Sequence, residues 1–227
     1  MPEQKSLKLS PSSLNAFRAC PRCFWMDVHG KGPPGGPFPS LPSGIDQILK
    51  AYYDKYRSRG LPPLLDGKID ARLVKASMAD ALRKRLSFTD EETGAVLWGM
   101  MDDCFTDEKG TLMVMDNKTR GFPLKNGMDE ELLDIYTFQL ECYALLLEKN
   151  GHKVSNFGYL VYYIPEKTDD ITNGIKFSAD VRKVLLNTKR VMPIFRSAVA
   201  VARRAAPPGQ HEECELCHWV KEVAAME

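Results

Sequence analysis

Two aspartates and a lysine stand close together in mid-sequence: Asp102 in Gly-Met-Met-Asp-Asp, and Asp116 and Lys118 in Met-Asp-Asn-Lys-Thr. Hard carboxylate oxygens bind Mg²⁺ or Mn²⁺. A metal so held polarises a phosphate, lowers the pKa of a bound water and steadies a leaving oxygen. A nearby ammonium orients that water or offsets charge growing on the phosphorane. The set therefore suits phosphodiester hydrolysis. Asp-x-Lys alone is a weak signal, because on a strand it is often a surface ion pair of little energetic weight. Here the pair ends an otherwise apolar stretch, TLMVMDNKT, and a second aspartate precedes it by a hairpin's length.

The second group of reactive residues is Cys20-Pro-Arg-Cys23 and Cys214-Glu-Leu-Cys217. Paired C-x-x-C motifs in a reducing compartment are a metal signature, each pair giving two thiolates to one ion or cluster. A shared site would join the first and last elements of the chain. Zinc and iron–sulfur both accept four thiolates, and spacing alone does not separate them. A redox role fits less well, since neither pair ends a βαβ strand. Cys104 and Cys142 lie among apolar neighbours and read as packing residues.

The elements that must position these residues can be read coarsely. Ser10-Pro11 is an N-cap followed by proline at the first helical position, opening a helix to about Cys20. Residues 30–43 are Gly/Pro-rich and predict loop. Helices are expected from about Gly44 to Arg59 and, basic and amphipathic, over 69–87. Residues 94–105 and 111–119 read as strands paired through the turn Asp107–Gly110. Residues i and i+2 share a strand face, so Asp116 and Lys118 point together, and pairing could bring Asp102 alongside. Residues 129–149 have helical apolar spacing and stop at Asn150-Gly151. Strands are expected at 154–164 and 171–178, then a long basic helix over 180–205. This order predicts an α/β architecture around a mixed central sheet flanked by helices.

With 227 residues, the chain suits one large domain. A net charge of +1 says nothing about a polyanionic partner, but its distribution does. Residues 50–86 carry ten Lys/Arg against four Asp, and 182–204 carry seven Lys/Arg and no acid; between them 87–116 carry eight acids and one Lys. Such a pattern suits a site that binds phosphate backbone and also holds cations, or simply solvated helix faces. Tyr52, Tyr53 and Tyr56 offer rings either to bases or to the core. No apolar leader or membrane-length run is visible, so a cytoplasmic protein without a membrane partner is expected.

GMMD, thirteen residues and then DNKT resemble the catalytic hairpin of the PD-(D/E)xK nuclease superfamily, with spacing similar to its RecB-type branch, which includes the CRISPR-associated RecB-like exonucleases. Gln139-Leu-Glu-Cys-Tyr143 resembles that branch's Q-x-x-x-Y signature on the following helix, and residues four apart share a helix face. Ser12-Ser13-Leu14-x-x-Phe17-x-x-Cys20-Pro21 is similar to its N-terminal signature.

The resemblance implies a restriction-endonuclease-like core, here with a helical insertion and a terminal cysteine metal-site subdomain. It also implies a single nuclease domain over 1–227: a helical region at about 44–90, a catalytic core at 93–205, and segments 10–25 and 210–222 brought together by the cysteines. By the same analogy Asp102 and Asp116 bind Mg²⁺ or Mn²⁺, Asn117 offers its backbone carbonyl, Lys118 is the catalytic lysine, and Gln139 and Tyr143 approach the nucleic acid and the active site. RecB-type relatives carry a metal-binding His after a Gly on an earlier helix. Here that stretch reads Ser43-Gly-Ile-Asp46-Gln, and none of the four histidines is suitably placed. Asp46 either replaces the His or lies in a first helical turn for its dipole.

Cysteine-stapled relatives hold a [4Fe–4S] cluster with one early and three late cysteines. Cys20, Cys23, Cys214 and Cys217 are two and two. The resemblance favours the cluster over zinc. The function implied is a metal-dependent deoxyribonuclease, an exonuclease on single-stranded DNA or DNA ends. The alternative is a catalytically silent DNA-binding module in a repair or CRISPR complex.

Overall fold

The computed structural model describes residues 6–36, 40–122 and 130–226. Part of the expected Gly/Pro loop (37–39) and the first residue of the helix expected from 129 lie outside them. In chain order the elements are β1 (Lys8–Leu9), α1 (Pro11–Ala19), α2 (Pro21–Val28), α3 (Ser40–Tyr56), β2 (Arg72–Leu73), α4 (Ala76–Arg83), β3 (Leu86–Thr89), β4 (Val96–Gly99), β5 (Asp103–Thr106), β6 (Leu112–Thr119), α5 (Glu130–Lys149), β7 (Phe157–Pro165), β8 (Phe177–Leu185), α6 (Val191–Ala202) and α7 (Glu215–Ala224). A 3₁₀ turn, Thr188–Arg190, precedes α6. The expected α/β class with a mixed sheet and flanking helices is what the chain forms. Among the described residues no helix is long and apolar enough to cross a membrane.

The chain divides into two compact units, one of residues 38–86 and 99–188, the other of residues 1–37, 87–98 and 189–227. The first holds a five-stranded sheet in the order β2-β5-β6-β7-β8. Its β5–β6 hairpin is antiparallel, with Asp103 opposite Met115 and Thr106 opposite Leu112. Asp107 fixes the turn, its Oδ1 accepting from the backbone N–H groups of Lys109 (2.9 Å) and Thr111 (2.8 Å). Gly110 follows with φ +76°, a left-handed conformation open to glycine without a Cβ clash. β7 runs parallel to β6, with Asp116 beside Leu160, and α5 makes the crossover. One sheet face packs on α3 around Leu49, Tyr53, Phe105, Met115, Val161 and Tyr163.

The second unit is built on a three-stranded sheet, β1-β4-β3, with helices α1, α2, α6 and α7. Ser10 caps α1, its Oγ accepting from the Ser13 N–H at 3.2 Å. Two further helices, α2 and α7, begin at the cysteine motifs, with Cys20 and Cys214 at their N-cap positions.

Five local expectations are corrected. The helix expected over 69–87 shrinks to α4, because Arg72 and Leu73 pair with Thr106 and Phe105 at the sheet edge. The strand expected at 94–105 is two strands in different sheets, β4 and β5, with Asp102 at the bend just before β5 rather than inside a strand. The helix expected over 180–205 is the strand β8 followed by α6. The charges in Val-Arg-Lys-Val-Leu belong to an edge strand, where charged side chains discourage further pairing. Accordingly the strand expected at 171–178 begins only at Phe177 and belongs to β8. Helix α3 starts at Ser40, inside the expected loop, with Pro42 in its first turn where a missing N–H leaves no bond unmade.

Candidate functional site

Continuing the β5–β6 ladder by one residue sets Asp102 opposite Asp116. Asp116 and Lys118 lie two apart on β6 and so share its face. The ladder is locked at that point, since Asp102 Oδ2 accepts from the Asn117 backbone N–H at 2.9 Å. Lys118 Nζ lies 2.5 Å from Asp116 Oδ2. That oxygen is buried against the ammonium, which offsets part of the cost of burying its charge.

Burial pushes the Asp102 carboxyl up to about 7; repulsion from Asp116 and Asp46 adds to it, and the Asn117 N–H and Lys50 oppose it. Burial raises Asp116 as well. Lys118 offsets part of that rise, and Asp46 adds to it. Two carboxylates therefore face one another in a buried site that holds one lysine, and a further cation would relieve them.

Helix α5 supplies the rest of the face. Lys118 Nζ donates to Gln139 Oε1 at 3.1 Å, and Gln139 Nε2 donates to the Tyr143 hydroxyl at 2.9 Å. Lys118 Nζ also sits 4.2 Å from the centre of the Tyr136 ring. Residues 136, 139 and 143 follow the i, i+3, i+7 spacing of one helix face. Burial, with Asp116 next in weight, holds the Tyr143 hydroxyl well above its ordinary pKa, so it stays a neutral donor. Gly99 makes room for this ring. A Cβ there would come within 2.9 Å of the Tyr143 ring edge, so glycine is needed for close approach and not for its backbone angle.

On the opposite face, Tyr53 Oη donates to Asn117 Oδ1 at 2.8 Å and lies 2.7 Å from Tyr163 Oη, fixing the strand residue between Asp116 and Lys118. Tyr53 is fully buried, so of the three tyrosines on α3 it belongs to the core.

The structure brings Asp102, Asp116, Lys118, Gln139 and Tyr143 together. Asp46 is close enough to raise both aspartates, but its own Oδ2 is 2.6 Å from Lys50 Nζ. It lines, with Pro42, Leu49, Asn117, Lys118 and Thr119, a cavity of about 330 Å³ beside the lysine. Tyr136 is the member of this group that the sequence reading misses, although its place one turn before Gln139 is a readable signal.

Much of the basic charge noted in the sequence is engaged. Arg57 and Arg83 both bind Asp103 and Asp54, and Arg196 binds Asp90 and Glu92. Arg182 binds Asp180.

The cysteines form a second site, within the other unit. Cys20 Sγ is 3.7 Å from Cys217 Sγ, and Cys23 Sγ is 3.6 Å from Cys214 Sγ and 3.8 Å from Cys217 Sγ. All four sulfurs lie within 4.8 Å of one another; among the described residues they are the only such group of three or more metal-binding side chains. Each motif runs from an N-cap into the first helical turn, so backbone N–H groups point at the sulfurs. The Cys23 N–H donates to Cys20 Sγ at 3.4 Å, and the Cys217 N–H leads the interactions that bring Cys214 down to about 7. Cys104 and Cys142 are fully buried packing residues of the larger sheet unit.

No curated protein matches this chain. Among solved structures, the crystal structure of SSO0001 aligns at 15% identity with a TM-score of 0.48, covering 96% of this chain and 86% of that one. The family model of the PD-(D/E)XK nuclease superfamily matches residues 41–221, well over half of the sequence and inclusive of every acidic, lysine and glutamine position described above. The chain belongs to the PD-(D/E)XK nuclease superfamily.

Proposed function

We propose that this protein is a divalent-metal-dependent deoxyribonuclease of the RecB-like type, acting as an exonuclease on single-stranded DNA or DNA ends. The observation that carries the reading is the convergence of Asp102, Asp116 and Lys118 on one sheet face, with both carboxyls raised by burial beside the one ammonium.

Asp102 and Asp116 would hold Mg²⁺ or Mn²⁺, with the Asn117 backbone carbonyl and Asp46 as further oxygen donors. The donor set fits: hard carboxylates, with Asp102 raised by burial and by Asp116, and Asp116 by burial and by Asp46. The bound metal would supply Lewis acidity and an activated water. Asn117 N–H keeps Asp102 turned toward Asp116. Lys118 presents its ammonium where charge accumulates on the phosphorane, and Gln139 and Tyr143 keep it there. The Asp46–Lys50 pair favours the second reading, a silent DNA-binding module, because it holds one candidate oxygen away from a metal. A reducing cytoplasm belongs to the proposal, since two C-x-x-C motifs converging on one site suit thiolates kept reduced for a metal.

The test is degradation of end-labelled single- and double-stranded DNA with Mg²⁺ or Mn²⁺, with Lys118→Ala as control. Metal-dependent shortening from an end, reduced ~10²–10³-fold or more in the variant at unchanged circular dichroism, is expected. Undiminished cleavage by Lys118→Ala would overturn the assignment. Binding of single-stranded DNA without cleavage in any divalent metal would establish the silent module.

A further inference from the structure

We infer that the four cysteines hold one tetrahedral zinc ion, and not the [4Fe–4S] cluster that the RecB-type resemblance implies. The argument is the spacing of the sulfurs. A Zn–S bond of ~2.3 Å in a regular tetrahedron separates neighbouring thiolates by ~3.8 Å. Three of the six pairs here measure 3.6, 3.7 and 3.8 Å. In a cubane each thiolate ligates its own iron, with four irons and four inorganic sulfides between them. The sulfurs then stand apart by an iron–iron edge plus the outward splay of two Fe–S bonds. A set in which every donor lies within 4.8 Å of every other encloses no room for that core.

The surroundings agree with a closed, structural ion. Four thiolates complete the tetrahedron and leave no position open to substrate. The excess negative charge of such a centre meets two helix N-termini, those of α2 and α7, each set at its first cysteine. Arg22 and Lys31 line the cavity beside Cys23 and Cys217. Arg22 is itself anchored, donating to the Pro208 carbonyl at 2.9 Å, and so ties the entry to the late cysteine motif back to the early one. Cys20 and Cys217 are buried, which shields the ion from chelators and oxidants. An ion there would link residues 20–23 to 214–217 within the second unit, and its loss would release α7, whose one buried residue is Cys217, while α2 keeps the packing of Phe24 and Trp25.

The experiment uses the full-length wild-type protein, produced with iron and zinc both available and purified without air. Elemental analysis and absorbance are read on the same sample, and then the protein is reloaded with Co²⁺ as the probe. The expected result is about one zinc per chain, a colourless protein, and on Co²⁺ loading the intense visible and near-ultraviolet absorption of tetrahedral thiolate cobalt. About four irons with acid-labile sulfide and a brown colour would overturn the inference, as would a single iron with a red one. Weak, octahedral-type cobalt absorption would also overturn it. Cys214→Ser should lose most of the bound zinc, whereas Lys118→Ala should keep all of it. Because the readouts are stoichiometry and spectrum, failure of the nuclease reading would leave this result unchanged.

Discussion

Asp102 and Asp103 are neighbours in sequence, and both are acids withdrawn from solvent, yet the two faces of the strand treat them in opposite ways. Asp103 meets guanidinium groups: Arg57 clasps both of its oxygens, Nη1 at 3.0 Å from Oδ1, and Arg83 Nη2 stands 3.3 Å from Oδ2. Asp54 ties the same two arginines together from the other side. Asp102 meets one backbone N–H and, across the ladder, a second carboxylate. A buried charge is tolerated when it is paired and hydrogen-bonded, and otherwise shifts its pKa or takes a metal. Asp103 is thus completed by the protein itself and serves the fold. Asp102 and Asp116 have no such clasp, only Lys118 beside Asp116 and Lys50 farther off, and that shortfall of positive charge is what suits them to the proposed metal.

The largest expected effect comes from attacking the satisfied face. Asp103→Asn leaves Arg57 and Arg83 buried against a neutral amide, and breaking a buried pair in this way costs ~3–5 kcal/mol. Thermal or urea unfolding should show a loss of that size, with any fall in nuclease activity following the folded fraction. A loss below ~1 kcal/mol would mean that Asp54 alone suffices to hold the two arginines, and the contrast between the faces would fail.

The unsatisfied face should respond with the opposite sign. The Asp102 carboxyl, ordinarily near 3.8, is raised to about 7 in the fold. A raised acid contributes stability that is present below its unfolded pKa and is lost as pH rises through the folded one. Metal-free protein should therefore lose stability between about pH 4 and pH 8, by ~2–4 kcal/mol, because each tenfold gain in proton affinity on folding is worth ~1.4 kcal/mol. Asp116, raised too, acts in the same direction. Asp102→Asn should flatten that slope and stabilise the metal-free protein at pH 8 while abolishing cleavage. Mg²⁺ or Mn²⁺ should restore stability at pH 8 in the wild type and not in the variant. Unfolding curves at pH 5, 6.5 and 8 with and without metal decide it. A wild type that gains stability over this range would show that the carboxylates are already neutralised by the chain.

The difference between these faces is half legible in the sequence. Asp116 and Lys118 need only the two-residue repeat of a strand, and Gln139 and Tyr143 only the turn of a helix, so local rules are enough. Asp102 needs one pairing across a short turn. Asp103 is hidden because its partners lie 46 and 20 residues away, just after α3 and at the end of α4, and nothing local announces them. The misread segments share that cause. Residues 69–87 and 180–205 carry basic residues at spacings that suit a helix, but Arg72–Leu73 and Phe177–Leu185 are claimed by β5 and β7, and sheet pairing outweighs a weak helical preference. The break at Met100–Asp102, where one apolar run feeds two different sheets, is likewise a tertiary fact. The cysteine motifs are plain in the sequence, whereas the distance between their sulfurs is not.

The smallest effect tests how finely the unsatisfied face is tuned. Tyr136 touches neither carboxylate, but its ring lies 4.2 Å from Lys118 Nζ, which also holds Gln139 and Asp116. A cation over an aromatic face gains ~0.5–2 kcal/mol when partly desolvated. Tyr136 is thus a positioning residue, steering the ammonium that both aspartates must share. Tyr136→Leu keeps the apolar volume and removes the quadrupole, and should lower kcat by ~2–30-fold with little change in KM. Tyr136→Phe keeps the ring face and should restore most of the rate. If both variants lose equally, the hydroxyl or simple packing is what matters; if neither loses, Gln139 and Asp116 hold the lysine unaided, and the site's single positive charge is fixed by hydrogen bonding and the ion pair alone.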